Sequence, residues 1–243
     1  MTNIIPKVLI VFVAVIIVVV AMGFLYAGPQ LMSLFSKPEA ISIQDKQILY
    51  TAEPLKVDIS YPQIAGLDDF NQRSKALVEK EINDFKKNAL DNDEAVKATD
   101  PTNYEKFPRE YELNISYTAG QVDRDIISTI FSVYKFEGGA HGTSYFAPLN
   151  YDPKLKQEIK LADMFLDQPD YLQKISAFCI ADLTKQIAAN LGNTSGTWIA
   201  EGAGPKEENF QFFVINKDSI VFYFPQYQVA YGAAGDFKVT MPR

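Results

Sequence analysis

The chain has 243 residues, 47% hydrophobic and 13% aromatic, which is enough apolar side chain for one or two packed domains and excludes a disordered chain. Thirty acidic against 23 basic residues give a net charge of −7, which disfavours nucleic acid and anionic lipid surfaces and favours cationic partners. One cysteine, Cys179, excludes an internal disulfide, and one histidine falls short of the ligand set of a hydrolytic zinc site, so no metal or other cofactor is expected.

In chain order, residues 8–36 carry no charged side chain, and Val8 to Ala27 is almost entirely aliphatic. A helix of about 20 residues rises about 30 Å, the thickness of a bilayer core, so 8–27 is expected as a transmembrane anchor behind a cytoplasmic tail, 1–7. Lys7 precedes the span and the next charge is Lys37, which puts the bulk of the chain outside the cytoplasm. Ala21-Met22-Gly23 would serve as a cleavage site, which leaves a secreted or periplasmic product as the alternative. Residues 28–53, with Pro29 and Pro38, read as a stalk, and 54–243 as the external domain.

Leu55 to Tyr61 reads as a first strand, closed by Pro62. Leu67, Phe70, Leu77, Phe85 and Ala89 then fall on one helical stripe, with Asp69 and Gln72 spaced as a capping box. The polar segment 91–108 reads as a loop, and Tyr111, Leu113, Ile115 and Tyr117 alternate as in a half-buried strand. Two strands, 126–136 and 143–151, flank Glu137-Gly-Gly-Ala-His-Gly142, whose glycines permit the positive φ of a hairpin turn or bulge. Leu172, Ile175, Cys179, Leu183 and Ile187 mark a second helix over 169–191, with Pro169 in its first turn and Gly192 at its stop; Cys179 reads as a small buried residue. Strands over 210–215 and 220–224, joined by the turn Asn216 to Ser219, and a last one over 237–241 complete an α+β domain: an antiparallel sheet packed with two long helices.

His141 has three readings: a turn residue bonding backbone groups, a contact in a binding surface, or a catalytic group without the usual partners. Phe222, Phe224, Tyr227 and Tyr231 similarly read either as core and rim of the last strands or as a presented aromatic surface. In the second case Pro225-Gln226-Tyr227 and Tyr231-Gly-Ala-Ala-Gly235 form loops beside the hairpin, and Gly139, His141, Thr143, Ser144, Pro225, Tyr227 and Tyr231 are the candidate contacts. Trp198 in "GTWIAEGAGP" is either a further contact or a core plug.

Tyr61-Pro62, Phe70-Asn71, "FEGGAHG" at 136–142, "LADMF" at 161–165 and "FPQYQVAYGAAG" at 224–235 resemble a bacterial extracytoplasmic domain family. That family is shared by the C-terminal domain of the lysozyme-sensing anti-sigma factor RsiV and the N-terminal region of the peptidoglycan deacetylase PdaC. The resemblance runs from about residue 50 to the end. It implies an external module that binds a lysozyme-like muramidase or peptidoglycan-related material, with no catalytic residues carried over. Seven residues ahead of the span leave no room for a sigma-factor-binding region, and one histidine does not reproduce the metal site of a deacetylase domain. A structural envelope protein or assembly partner is the alternative, ahead of a hydrolase.

Overall fold

The computed structural model describes residues 41–191 and 196–243. The expected tail and membrane anchor, most of the stalk and the helix stop at Gly192 lie outside these. Among the described residues no helix is long and apolar enough to cross a membrane.

Strands β1 (Ile43–Ala52), β2 (Leu55–Ile64), β3 (Tyr111–Val122), β4 (Ile127–Phe136), β5 (Thr143–Asp152) and β6 (Gln157–Glu158) form one sheet in chain order. The expected stalk therefore ends earlier than its sequence suggests. Residues 43–52 form an edge strand paired along its whole length with β2, from Ile43 opposite Ile64 to Ala52 opposite Leu55. Its side chains are mostly exposed, so it carries little of the apolar alternation that marks a strand.

The sheet is mixed, which corrects the expected antiparallel one. Helix α1 (Asp68–Thr99) carries the chain back along the sheet, so β3 enters parallel to β2, with Leu55 opposite Tyr111 and Ile59 opposite Ile115. The helix runs through much of the expected loop: residues 91–99 belong to α1 and Pro101–Lys106 to a short helix α2. The reason is Asp93, which continues the buried stripe of Phe70, Ser74, Val78, Glu81, Phe85 and Ala89 by one turn as a polar residue. No capping box forms at Asp69, since the N-cap is Leu67 without a side-chain bond. The Asn71 amide instead donates to Ile64 O and accepts from Ile64 N, both at 2.8 Å, and ties the first turn to β2. Pro62 lies inside β2 rather than ending it, at a point beyond Ile59 where only β1 pairs with this strand.

A second sheet, β7 (Phe213–Ile215), β8 (Ser219–Phe224) and β9 (Phe237–Pro242), is antiparallel. Phe210, expected to begin the first of these strands, instead ends a 3-10 turn, Glu207–Phe210. Side-chain alternation fixes the layers. On β4, Ile127, Phe131 and Val133 pack with Phe70, Val78 and Phe85 of α1, whereas Ile130 packs with Val214 and Tyr223 of the second sheet. The outer face of that sheet, with Phe222, Phe224 and Val239, meets Ile175, Cys179, Leu183 and Ile187 of helix α3 (Tyr171–Leu191). The order is thus helix, sheet, sheet, helix, and β4, covered on both faces, is buried along most of its length, Ser128 and Thr129 included. Cys179 is buried as expected, and burial pushes its thiol up to about 12. Pro169 precedes α3 rather than lying in its first turn.

Candidate functional site

The β4–β5 connection is a hairpin, with Lys135 opposite Thr143. Its turn is fixed from below by α1. Asn92 Nδ2 donates to Glu137 O at 2.8 Å and Asn88 Nδ2 to Glu137 Oε1 at 3.2 Å. Gly138 and Gly139 adopt φ of +105° and +100°, and a Cβ on Gly138 would lie 1.6 Å from Asn92 Nδ2. Glycine is required there both for its backbone conformation and for the closeness of the helix. His141 is exposed, and its Nδ1 lies 2.9 Å from the carbonyl oxygen of Gly142, a bond within the turn in which a protonated Nδ1 donates. Thr143 and Ser144 open β5 and are exposed.

Beneath the hairpin, where β4 and β5 face α1, lies a buried polar group that the sequence reading missed. Glu81 Oε2 is 2.7 Å from Lys135 Nζ and accepts a hydrogen bond from the Tyr145 hydroxyl, and the Lys135 ammonium lies 5.3 Å from the centre of the Tyr145 ring. Burial, then the bond to Glu81, pushes the Tyr145 hydroxyl well above its usual range, so it remains a donor. Glu81 stands three residues after Val78 and four before Phe85, in the buried stripe, and that spacing was the available signal.

The tyrosine loop between β8 and β9 has its own supports. Gln228 N donates to Pro225 O at 3.0 Å, Gln226 N to Asp236 Oδ1 at 2.9 Å, and Gln228 Nε2 to Gly202 O at 2.7 Å and Asn209 O at 2.9 Å. Tyr227 adopts φ of +72°, uncommon for a side chain of its bulk, and is 62% exposed. Its ring lies over Gly232, where a Cβ would come within 2.1 Å of the ring. This contact accounts for the first glycine of Tyr231-Gly-Ala-Ala-Gly235. Tyr231 is 51% exposed, and Pro225 is half-buried. Phe222 and Phe224, by contrast, are core. Trp198 lies in helix α4 (Gly196–Gly202), partly exposed, rather than in a loop.

The two groups of candidate residues thus stand on different layers, the hairpin braced by α1 and the tyrosine loop by α4 and the segment before β7. Among the described residues no hydrogen bond, ion pair or ring contact joins them.

Comparison with known proteins gives two family matches: residues 38–144 match the family described as Deacetylase PdaC, and residues 162–243 a protein family of unknown function, DUF3298. The chain is 30% identical to the peptidoglycan-N-acetylmuramic acid deacetylase PdaC of Bacillus subtilis over 187 residues, 76% of this chain and 37% of that protein. It is 28% identical to the immunogenic protein MPT64 of Mycobacterium tuberculosis over 141 residues, 56% of this chain and 59% of that one. In both cases the match spans less than two thirds of the relative. An esterase of the same organism is 24% identical over 127 residues, 52% of this chain and 53% of the esterase. In fold, the chain is similar to a DUF3298 family member from Bacteroides fragilis, with a TM-score of 0.59 at 19% identity, covering 84% of this chain and 90% of that one. A DUF3298 protein from Pseudomonas aeruginosa gives 0.52 at 13% identity, covering 85% and 91%. The N-terminal match takes in α1, β3, β4 and the hairpin, the C-terminal match takes in α3, the second sheet and the tyrosine loop, and the chain belongs to the PdaC/DUF3298-like domain family.

Proposed function

We propose that the chain is a membrane-anchored, extracytoplasmic binding or sensor module of the bacterial cell envelope, whose ligand is a basic protein such as a lysozyme-like muramidase, or cell-wall material. In this reading residues 8–27 hold the chain to the membrane, and the described domain recognises its ligand without chemistry of its own. The observation that carries it is Tyr227, a bulky residue kept at positive φ and 62% exposed. An unfavourable backbone conformation that persists at an exposed aromatic is a reason to infer a use for that residue. Tyrosine supplies apolar area and a hydroxyl at low entropic cost, as interface anchors do. The net charge of −7 suits a basic partner, which it would steer towards the domain.

The test is capture from envelope extract by the full chain in detergent, with and without added lysozyme. Retention of a basic muramidase or of wall fragments, lost with Tyr227→Ala, is the expected result. Recovery of other membrane proteins alone, unaffected by that substitution, would favour a structural or assembly role.

A further inference from the structure

A cleft of about 500 Å³ lies at the end of the six-stranded sheet where the β1–β2 turn, the last turn of α1, α2 and the approach to β3 meet. Its size falls within the roughly 300–1,000 Å³ of small-ligand sites. Thr51, Glu53, Lys97, Tyr104, Arg109 and Glu110 are among its walls.

One wall is internally committed. Tyr104 Oη donates to Asp93 Oδ1 at 2.6 Å, Lys97 Nζ is 2.7 Å from Asp93 Oδ2, and the Lys97 ammonium lies 4.8 Å from the centre of the Tyr104 ring. These contacts hold the tyrosine as a fixed face and occupy the lysine. Glu53, Arg109 and Glu110, in contrast, form no ion pair among the described residues. Behind this wall the Tyr111 hydroxyl is fully buried and makes no hydrogen bond among the described residues.

The cleft therefore offers one uncommitted cation and two uncommitted carboxylates beside an aromatic face. A simple anion would meet Glu53 and Glu110, and a simple cation would meet Arg109. A ligand carrying both charges satisfies both. We propose that this cleft binds a small zwitterionic ligand, an amino acid or short peptide with both ends free, its carboxylate on Arg109 and its ammonium on the Glu53 and Glu110 carboxylates. The planar guanidinium fork matches a carboxylate in two parallel hydrogen bonds, and the tyrosine face takes the apolar part of the ligand. This site uses none of the tyrosine-loop residues, so its failure would leave the macromolecular reading untouched.

The test is calorimetric titration of the full chain in detergent with alanyl-alanine, its N-acetylated form and its C-terminal amide. The free dipeptide should bind saturably, and each capped form at least about tenfold more weakly, the scale of a lost charge-assisted hydrogen bond. Arg109→Gln should weaken the free dipeptide by about tenfold and abolish its advantage over the amide, and the pair Glu53→Gln with Glu110→Gln should abolish its advantage over the acetylated form. All three positions are exposed, so an unchanged circular dichroism spectrum is expected and keeps the comparison valid. No saturable binding, or binding indifferent to the caps or to the substitutions, would overturn the proposal.

Discussion

Glu81 illustrates how a single buried charge depends on its partners. With Lys135 and Tyr145 both bonded to it between α1 and the sheet, the group is satisfied; with one partner removed it is not. Glu81→Gln leaves the largely buried Lys135 ammonium unpaired and should destabilise the domain by about 3–5 kcal/mol in urea melts. Replacing both members, Glu81→Leu with Lys135→Met, should recover most of that loss, because two apolar side chains have no charge to desolvate. Asp93 provides a pH-dependent case. Burial alone would push its carboxyl up, but the bonds from Lys97 and Tyr104 outweigh burial and hold it below the usual carboxylate range. A folded-state value below the unfolded one means that the stabilisation is complete above about pH 4 and is lost as the pH falls through the folded value. Asp93→Asn should therefore cost about 1–3 kcal/mol near neutral pH, and the gap to the unsubstituted chain should shrink in strongly acid solution, as stability curves over pH would record.

At the scale of elements, the two sheets are pinned to one another by side chains of the central strands. Ser128 Oγ accepts from Ile215 N at 2.7 Å and donates to Asn150 Oδ1, while Asn150 Nδ2 donates to Phe213 O at 3.1 Å. The short strand β7 thus has backbone groups satisfied by residues of β4 and β5. Ser128→Ala should cost about 1–3 kcal/mol, since it strands a buried N–H, and amide exchange should accelerate first at Ile215. Elements with strong periodicity were legible in the sequence: the stripe of Phe70, Phe85 and Ala89, that of Ile175, Cys179, Leu183 and Ile187, and the strands on either side of the 137–142 turn. What escaped was set by long-range pairing. β1 is an exposed edge strand whose partner, not its own pattern, makes it a strand. The last turns of α1 bury Asp93 rather than an apolar residue, so their polar composition reads as loop. The split into two sheets depends on which face of β4 each neighbour covers, and a strand buried on both faces shows no alternation from which to infer it. Of the candidate site, the hairpin and tyrosine turns were legible through their glycines, whereas the cleft at Tyr104 and Arg109 is assembled from segments more than 40 residues apart and carries no motif.

For the whole molecule, the proposed function links a negative net charge to an exposed, conformationally strained tyrosine. Charge governs approach and should fade with salt, because ions screen it over about 8 Å at physiological strength, while the loop contacts govern how long a complex lasts. The most direct test is calorimetric titration of the full chain in detergent with a basic lysozyme at low and at physiological salt, for the unsubstituted protein and for Tyr227→Ala. Saturable binding that weakens with salt, inhibits muramidase activity and loses about 1–2 kcal/mol with Tyr227→Ala is the predicted result. Absence of binding at both salt concentrations to lysozymes of several types, or binding that Tyr227→Ala leaves unchanged, would contradict it.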